Sequence, residues 1–342
     1  MTHSSPQKNL ITTKEVSWQI ITALTVSTVV LVLLFGLVKY SLGYGQIRET
    51  IFNAVYAQWQ LEDWGHCMMV PFAAAFIVYL ERAKLKAVPM VGSDAGFWIL
   101  LAGFFIYWFG FKADDIYFSY AAAQILLAGL VIWFGGWGWM RVLAFPWLFL
   151  VFMWPLLFLE SFISFPLRLT VSHAGVVVLN LMGIPSILNG TGILSAADPL
   201  QHLAQGDKFA VDVALPCSGM RSLFALMMVS ALYGYFTLKA SWARLTLFLV
   251  SIPFAIAGNI CRIVMLTAGT MIMGSERAIG SLEHPSFFHM LAGYVVFLVA
   301  LGGMVLVAGM LGQVGTVRVS EKQSSVIRAP KPAESQNEGD LY

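Results

Sequence analysis

The chain has 342 residues, of which 58% are hydrophobic and only 11% are charged, and its formal net charge is +2. Soluble domains have about 25% charged residues, and one soluble core of this size could not bury so much apolar surface. The composition therefore excludes a cytosolic enzyme, a disordered regulator and a nucleic-acid binder with a basic face. It predicts a polytopic membrane protein.

Eight apolar segments approach the roughly 20 residues that a helix needs to cross a bilayer. The predicted fold class is an all-α polytopic membrane protein with about eight transmembrane helices, at residues 17–40, 64–80, 95–112, 116–134, 142–159, 218–236, 244–270 and 288–312. Residues 17–312 would form the transmembrane domain, after a polar N-terminal segment at 1–16. The polar tail at 313–342 is predicted to be disordered.

The basic residues indicate an orientation. With the N-terminus in the cytoplasm, the inner segments hold 12 of the 20 basic residues, namely Lys8, Lys14, Arg82, Lys84, Lys86, Arg141, Lys239, Arg244, Arg318, Lys322, Arg328 and Lys331. Cytoplasmic loops of membrane proteins are enriched in Lys and Arg. We therefore expect both termini in the cytoplasm.

One longer insert, residues 160–216, lies between predicted helices five and six on the outer side. Its first part, SFISFPLRLTVSHAGVVVLNLMG, has apolar residues at helical spacing and is interpreted as an interfacial helix along the membrane surface. Asn189-Gly190 is a strong hairpin-turn signal, and KFAVDVALPC alternates as a strand does. The sequence thus predicts a small extracytoplasmic β-hairpin element before helix six.

Three polar positions fall at the outer ends of predicted helices. Cys217 precedes helix six, Arg262 lies about 27 Å along helix seven from the inner face, and His289 opens helix eight. Each has a plain structural explanation: a small packed thiol, an arginine reaching the headgroups, and an interfacial histidine. The alternating directions of the three helices, however, place all three residues at one depth and on one side.

These three side chains match the requirements of acyl transfer. The start of a helix lowers the pKa of a nearby thiol and favours thiolate. A thiolate attacks a carbonyl, an imidazole moves the proton, and a fixed cation stabilises the thiolate or the oxyanion. Cys67 and Cys261 complete the three cysteines, which are too few and too scattered for a disulfide framework or a thiolate metal site.

The motifs around these residues resemble those of the exosortase/archaeosortase family of multi-pass membrane cysteine transpeptidases. That family has a Cys-Ser-Gly motif, an Asn-x-x-Arg on the next helix and a His-x-x-x-Gly on the last. The chain has the same order in Cys217-Ser218-Gly219, Asn259-Ile-Cys-Arg262 and His289-Met-Leu-Ala-Gly293. A looser match is His66, which opens a span ending in a basic cluster, although Cys67 replaces the family's usual glycine. The resemblance covers most of residues 60–312.

The resemblance implies that Cys217 is the nucleophile, Arg262 the electrostatic partner and His289 the general acid/base. Asn259, Ser218, Gly219, Arg221, Gly293 and His66 are the supporting site residues. No metal or cofactor is implied. The implied partners are exported proteins with a C-terminal sorting signal, which combines a short motif such as Pro-Glu-Pro, one transmembrane helix and a basic tail. An unknown amine or lipid would accept the cleaved protein at the outer face of the inner membrane.

Two alternatives remain open at this point. The chain could be a transporter or channel in which Arg262, His289 and Glu160 line a path, although transporter sites usually lie near the midplane and these residues cluster at one face. A protease that only hydrolyses would also have the same three residues. A membrane thiol oxidoreductase is disfavoured, because the sequence has no Cys-x-x-Cys pair.

Overall fold

The computed structural model describes residues 13–42, 47–61, 64–212, 219–281 and 284–327. The chain divides into two compact units, Met1–Pro166 and Leu167–Tyr342. Each unit is described by itself.

The first unit is mainly helical. Its elements are α1 (Thr13–Leu31) with a π-helical extension (Val32–Leu37), β1 (Lys39–Leu42), β2 (Ile47–Thr50), α2 (Ile51–Trp59), a 3-10 helix (Gly65–Met69), α3 (Val70–Leu80), α4 (Arg82–Ala87), α5 (Ala95–Ala113), α6 (Ile116–Phe149), a 3-10 helix (Leu150–Met153), α7 (Leu157–Leu159) and a π-helix (Glu160–Ser164). Strands β1 and β2 form an antiparallel pair that the sequence analysis missed.

Helices α5 and α6 pack so closely that glycines are needed at their contact. A Cβ atom on Gly103 would lie 2.9 Å from Leu126 Cγ, and one on Gly129 would lie 2.9 Å from Leu100 Cγ. The two helices are joined by a tight turn in which Asp114 is left-handed and the Asp115 carboxylate accepts a hydrogen bond from Tyr117 N, capping α6. Only Asp114 and Asp115 therefore separate the end of α5 from the start of α6.

The second unit combines a helix group with a small sheet. Its elements are α8 (Phe165–Leu181), which begins at the boundary, β3 (Ser186–Asn189), β4 (Gly192–Ser195), β5 (Ala210–Asp212), α9 (Met220–Thr237), α10 (Ser241–Met273), α11 (Ser275–Ala278) and α12 (Phe287–Ile327). The antiparallel sheet has the order β3-β4-β5. Ile193 of the sheet is buried in one apolar cluster with Val171, Leu179 and Ile263, so this cluster joins the sheet to α8 and α10.

Five helical segments in the described residues are long and apolar enough to cross a membrane: Ala95–Ala113, Ile116–Met153, Phe162–Leu181, Ser241–Met273 and Phe287–Gly312. The chain is therefore a multi-pass membrane protein, but the predicted count of eight spans is not confirmed. The predicted spans at 17–40 and 64–80 correspond in part to shorter apolar helices, Thr25–Leu37 and Gly65–Leu80. Helix α9 covers the predicted span at 218–236 without being one of the five.

The predicted spans at 116–134 and 142–159 lie on either side of a break inside α6 and its 3-10 extension. Gly136 has φ 73° and ψ −176°, so the helix is interrupted there, inside the gap between the two predicted spans. A side chain at Gly136 would also collide with the carbonyl oxygen of Val91. The sequence therefore predicted the position of the interruption, whereas its contact with Val91 comes from the fold.

Two other segments differ from expectation. The predicted interfacial helix contains Phe162–Leu181, which at 20 residues is long and apolar enough to cross the bilayer. The backbone of α12 continues to Ile327, into the tail at 313–342 that the polar composition predicted to be disordered. No proline interrupts the helix before Pro330, and proline is what most strongly ends a helix. Residues 328–342 lie outside the described part.

Candidate active site

The start of α9 is built around Gly219. Gly219 is the N-cap residue of α9 and has φ +78°, a left-handed conformation that glycine adopts without a steric penalty. A Cβ atom at this position would lie 2.6 Å from Nδ2 of Asn259. The Gly219 carbonyl accepts hydrogen bonds from Leu223 N at 2.8 Å and from Ser222 Oγ at 2.9 Å. Both the left-handed backbone at position 219 and the close approach of Asn259 therefore require glycine. Cys217 and Ser218 lie outside the described residues.

Helix α10 carries Asn259 and Arg262 one turn apart, on the same face. Asn259 is buried, with 4% of its surface exposed, and its amide faces Gly219 of α9. The Arg262 guanidinium faces α12, because its Cζ lies 3.5 Å from the position that a Cβ atom on Gly293 would take. Within the described part of the chain, the buried Arg262 Nε has no hydrogen-bond partner. Helix α10 thus directs an amide towards one neighbour and a cation towards the other.

His289 is held in the first turn of α12. It is 7% exposed, and its backbone N–H donates to Ser286 Oγ at 3.0 Å. The Ser286 hydroxyl in turn donates to the carbonyl of Ala278 at 2.8 Å, so the same side chain caps α12 and ties it to α11. The backbone of Ile279 and the positive charge of Arg262 both act on the imidazole. The His289 ring therefore lies within electrostatic range of the guanidinium.

A small cavity of about 30 Å³ lies where α9, α10 and α12 meet. Its polar lining comes from Ser222, Asn259 and Arg262, and Gly293 also borders it. The remaining lining is apolar and includes Leu226. A cavity of this volume can hold about one water molecule. The structure therefore brings together Gly219, Asn259, Arg262, Gly293 and His289 from three helices that are separate in sequence.

Two predicted supporting residues have a different setting. Arg221 is exposed in the first turn of α9 and does not line the cavity. His66 belongs to the first unit, where it is half-buried, stacks on Trp64 with ring centroids 6.3 Å apart and places Nε2 3.8 Å from Cys67 Sγ. Within its own unit, His66 therefore belongs to a local cluster of side chains.

Two residues at the site were missed by the sequence analysis. Ser286 could have been recognised, because a serine directly before a predicted helix is a strong N-cap signal. Ser222 has no such signal, since a serine inside an apolar helix can face any neighbour. The described residues contain no group of three or more His, Cys, Asp or Glu side chains that could hold a metal ion.

Comparison with known proteins gives one result. No curated protein and no solved structure matches the chain. The model of the transmembrane exosortase family matches residues 59–306, which is well over half of the chain and includes the three motifs. The chain therefore belongs to the transmembrane exosortase family.

Proposed function

We propose that the protein is a membrane-embedded cysteine transpeptidase or protease, which cleaves C-terminal sorting signals from exported proteins through a thioester. One observation carries this proposal. Asn259 contacts Gly219, which begins α9 two residues after Cys217, and Asn259 lies one helical turn from Arg262, whose positive charge acts on His289.

Chain connectivity supports Cys217 as the nucleophile. Two peptide links join Cys217 to Gly219, and two residues of chain span at most about 7 Å. Gly219 itself contacts the Asn259 amide, one helical turn from Arg262. This connectivity supports a role for the Cys217 thiol together with Arg262 and His289, and the start of α9 adds a partial positive charge that would favour thiolate.

The reaction begins when the Cys217 thiolate attacks the carbonyl carbon of the scissile peptide bond. A C–S bond forms, and Arg262 stabilises the oxyanion of the tetrahedral intermediate. The C–N bond then breaks, the protonated His289 gives its proton to the leaving amine, and a thioester remains. An incoming amine or water loses a proton to His289 and attacks the thioester. The products are a new amide or a carboxylic acid, together with the free thiolate.

The membrane setting explains why these groups lie near a helix end. A substrate with a C-terminal transmembrane helix is anchored in the bilayer, so its scissile bond is held at a fixed depth beside the membrane surface. An enzyme whose reactive groups lie at the same depth receives the bond already positioned, and this proximity supplies much of the rate. We place the site at the outer face of the inner membrane, with both termini in the cytoplasm.

The test is the removal of the Cys217 thiol. The variant Cys217→Ala should abolish processing of a co-expressed exported reporter that ends in a sorting signal, as followed by gel shift and mass spectrometry. The matched control is Cys261→Ala, because Cys261 is an exposed cysteine on α10 directly beside Arg262. This control should process the reporter normally. Normal processing by Cys217→Ala would refute the cysteine mechanism and favour the transporter or channel alternative.

A further inference from the structure

A second cavity, of about 460 Å³, lies in the same unit beside the small sheet. Its walls include Ile184 and Pro185 between α8 and β3, Ala196 after β4, Phe209 before β5 and Met271 near the end of α10. The volume falls within the range of about 300–1,000 Å³ that is typical of ligand sites. Most of these walls are apolar, and Phe209 is buried. The cavity is therefore large enough for a substantial apolar group.

One wall of this cavity is held in place by a charged pair. The Asp198 carboxylate accepts a hydrogen bond from Lys208 Nζ at 2.9 Å and further bonds from the backbone of Leu200 and Gln201. The hydrogen bond from Lys208 holds the pKa of Asp198 below its usual value, so this carboxylate stays ionised at neutral pH. The loop between β4 and β5 consequently keeps its shape while Leu200, 94% exposed, stands at the cavity.

Helix α10 contributes residues both to this cavity and to the proposed active site. Met271 follows Arg262 by nine residues on α10, which corresponds to about 14 Å along the axis and half a turn around it, so the two side chains lie on opposite sides of the helix. Because α10 ends at Met273, an extended peptide can pass over the end of the helix, and it covers the rise together with the helix width of about 10 Å in about five residues. Phe209, in the cavity wall, also belongs to the apolar cluster of Ile263 and Ala292, which are the sequence neighbours of Arg262 and Gly293.

We propose that this cavity is a subsite for the substrate, which binds an apolar side chain about five residues N-terminal to the scissile bond. The inference rests on the proposed function and on its orientation. The C-terminal end of α10 points away from the bilayer, and the exported part of a substrate with a C-terminal membrane helix extends in the same direction. The cavity would therefore select exported proteins by the residues that precede the cleaved bond.

Filling the cavity tests the proposal. The probe is an exported reporter domain that ends in a sorting signal with one transmembrane helix and a basic tail. Ala196→Phe and Ala197→Trp should each lower kcat/KM for reporter cleavage at least tenfold. The control Ala204→Trp places the same bulk on an exposed position of the same loop, outside the cavity, and should stay within twofold of the native enzyme. Native kcat/KM in both filled variants, at native levels in the membrane, would overturn the subsite.

Crosslinking separates this proposal from the proposed chemistry. A photoreactive phenylalanine in place of Leu200, in the Cys217→Ala background, should crosslink to the reporter close to five residues before the scissile bond. The same group in place of Leu306, which is 69% exposed on α12, is the control and should not. Adducts with lipid alone, or none, would refute the subsite while leaving cleavage by the native enzyme intact. Reporter cleavage by Cys217→Ala would instead refute the proposed chemistry.

Discussion

Glycines at helix contacts have different roles in the two units of this protein. Between α5 and α6, Gly103 and Gly129 face the aliphatic side chains of Leu126 and Leu100, and their effect is to bring two apolar helices together. In the second unit, Gly219 faces the amide of Asn259 and Gly293 faces the guanidinium of Arg262. The same residue type therefore provides space for apolar packing at Gly103 and Gly129, and space for polar side chains at Gly219 and Gly293.

Both regions contain satisfied and unsatisfied polar groups. In the first unit, the Tyr107 hydroxyl donates to the carbonyl of Leu34 at 2.6 Å, whereas Ser164 Oγ is buried without a hydrogen-bond partner among the described residues. In the described part of the second unit, Arg262 Nε is buried without such a partner. A buried donor left unsatisfied costs about 1–3 kcal/mol. What distinguishes Arg262 is its charge, and in the proposed mechanism Nε would donate to the oxyanion that exists only during the reaction.

The largest expected effect follows from replacing this cation. Arg262→Lys should reduce reporter processing about 100- to 1,000-fold, the usual consequence of losing one oxyanion-stabilising donor. Lysine keeps the charge but lacks the planar fork of the guanidinium. Processing rate and the amount of protein in the membrane should be measured together. Near-native processing would show that Arg262 is only a structural charge, and the contrast between the two regions would be lost.

The glycines allow a direct comparison of the two regions. Gly219→Ala should lower the processing rate of the folded enzyme about 100-fold, because alanine in the left-handed region costs about 1–2 kcal/mol and its Cβ displaces the Asn259 amide. Gly103→Ala should instead lower the thermal midpoint, at an overpacking cost of about 1–3 kcal/mol, with native activity per folded molecule. Equal activity losses in both variants would contradict separate roles for these glycines.

The sequence predicted several local features, whereas the count of eight membrane spans is not confirmed. Asn259 and Arg262 share a face because residues three apart on a helix always do, and the segment after Cys217 does begin a helix. The gap between the predicted spans at 116–134 and 142–159 contains the break at Gly136. The strand pair β1–β2 contains few residues, so local composition does not reveal it. Ser222 reaches the cavity only through the rotation of α9, which is set by packing against α10 and α12.

A smaller effect is expected from the residue that positions His289. Ser286→Ala removes the cap of α12 and the bond to Ala278, at a cost of about 1 kcal/mol. Processing should fall about tenfold, with the pH profile of the rate shifted because the imidazole is no longer held in place. Ser286→Thr keeps a capping hydroxyl and should restore most of the rate. A purely structural role would lower the amount of folded protein in Ser286→Ala and leave the pH profile unchanged.

The smallest effect is expected from Gly293→Ala. This variant distinguishes Gly293, where a methyl group fits, from Gly219, where it does not. A Cβ atom on Gly293 would lie 3.5 Å from Arg262 Cζ, which is an ordinary van der Waals contact, so Gly293→Ala should retain processing within about threefold. Gly293→Leu would extend into the space of the guanidinium and should abolish processing, because a misplacement of about 1 Å can cost 100-fold. The two rates should be compared at equal protein levels. Complete loss in Gly293→Ala would mean that Arg262 must move towards α12 during the reaction, because only then would a methyl group obstruct it.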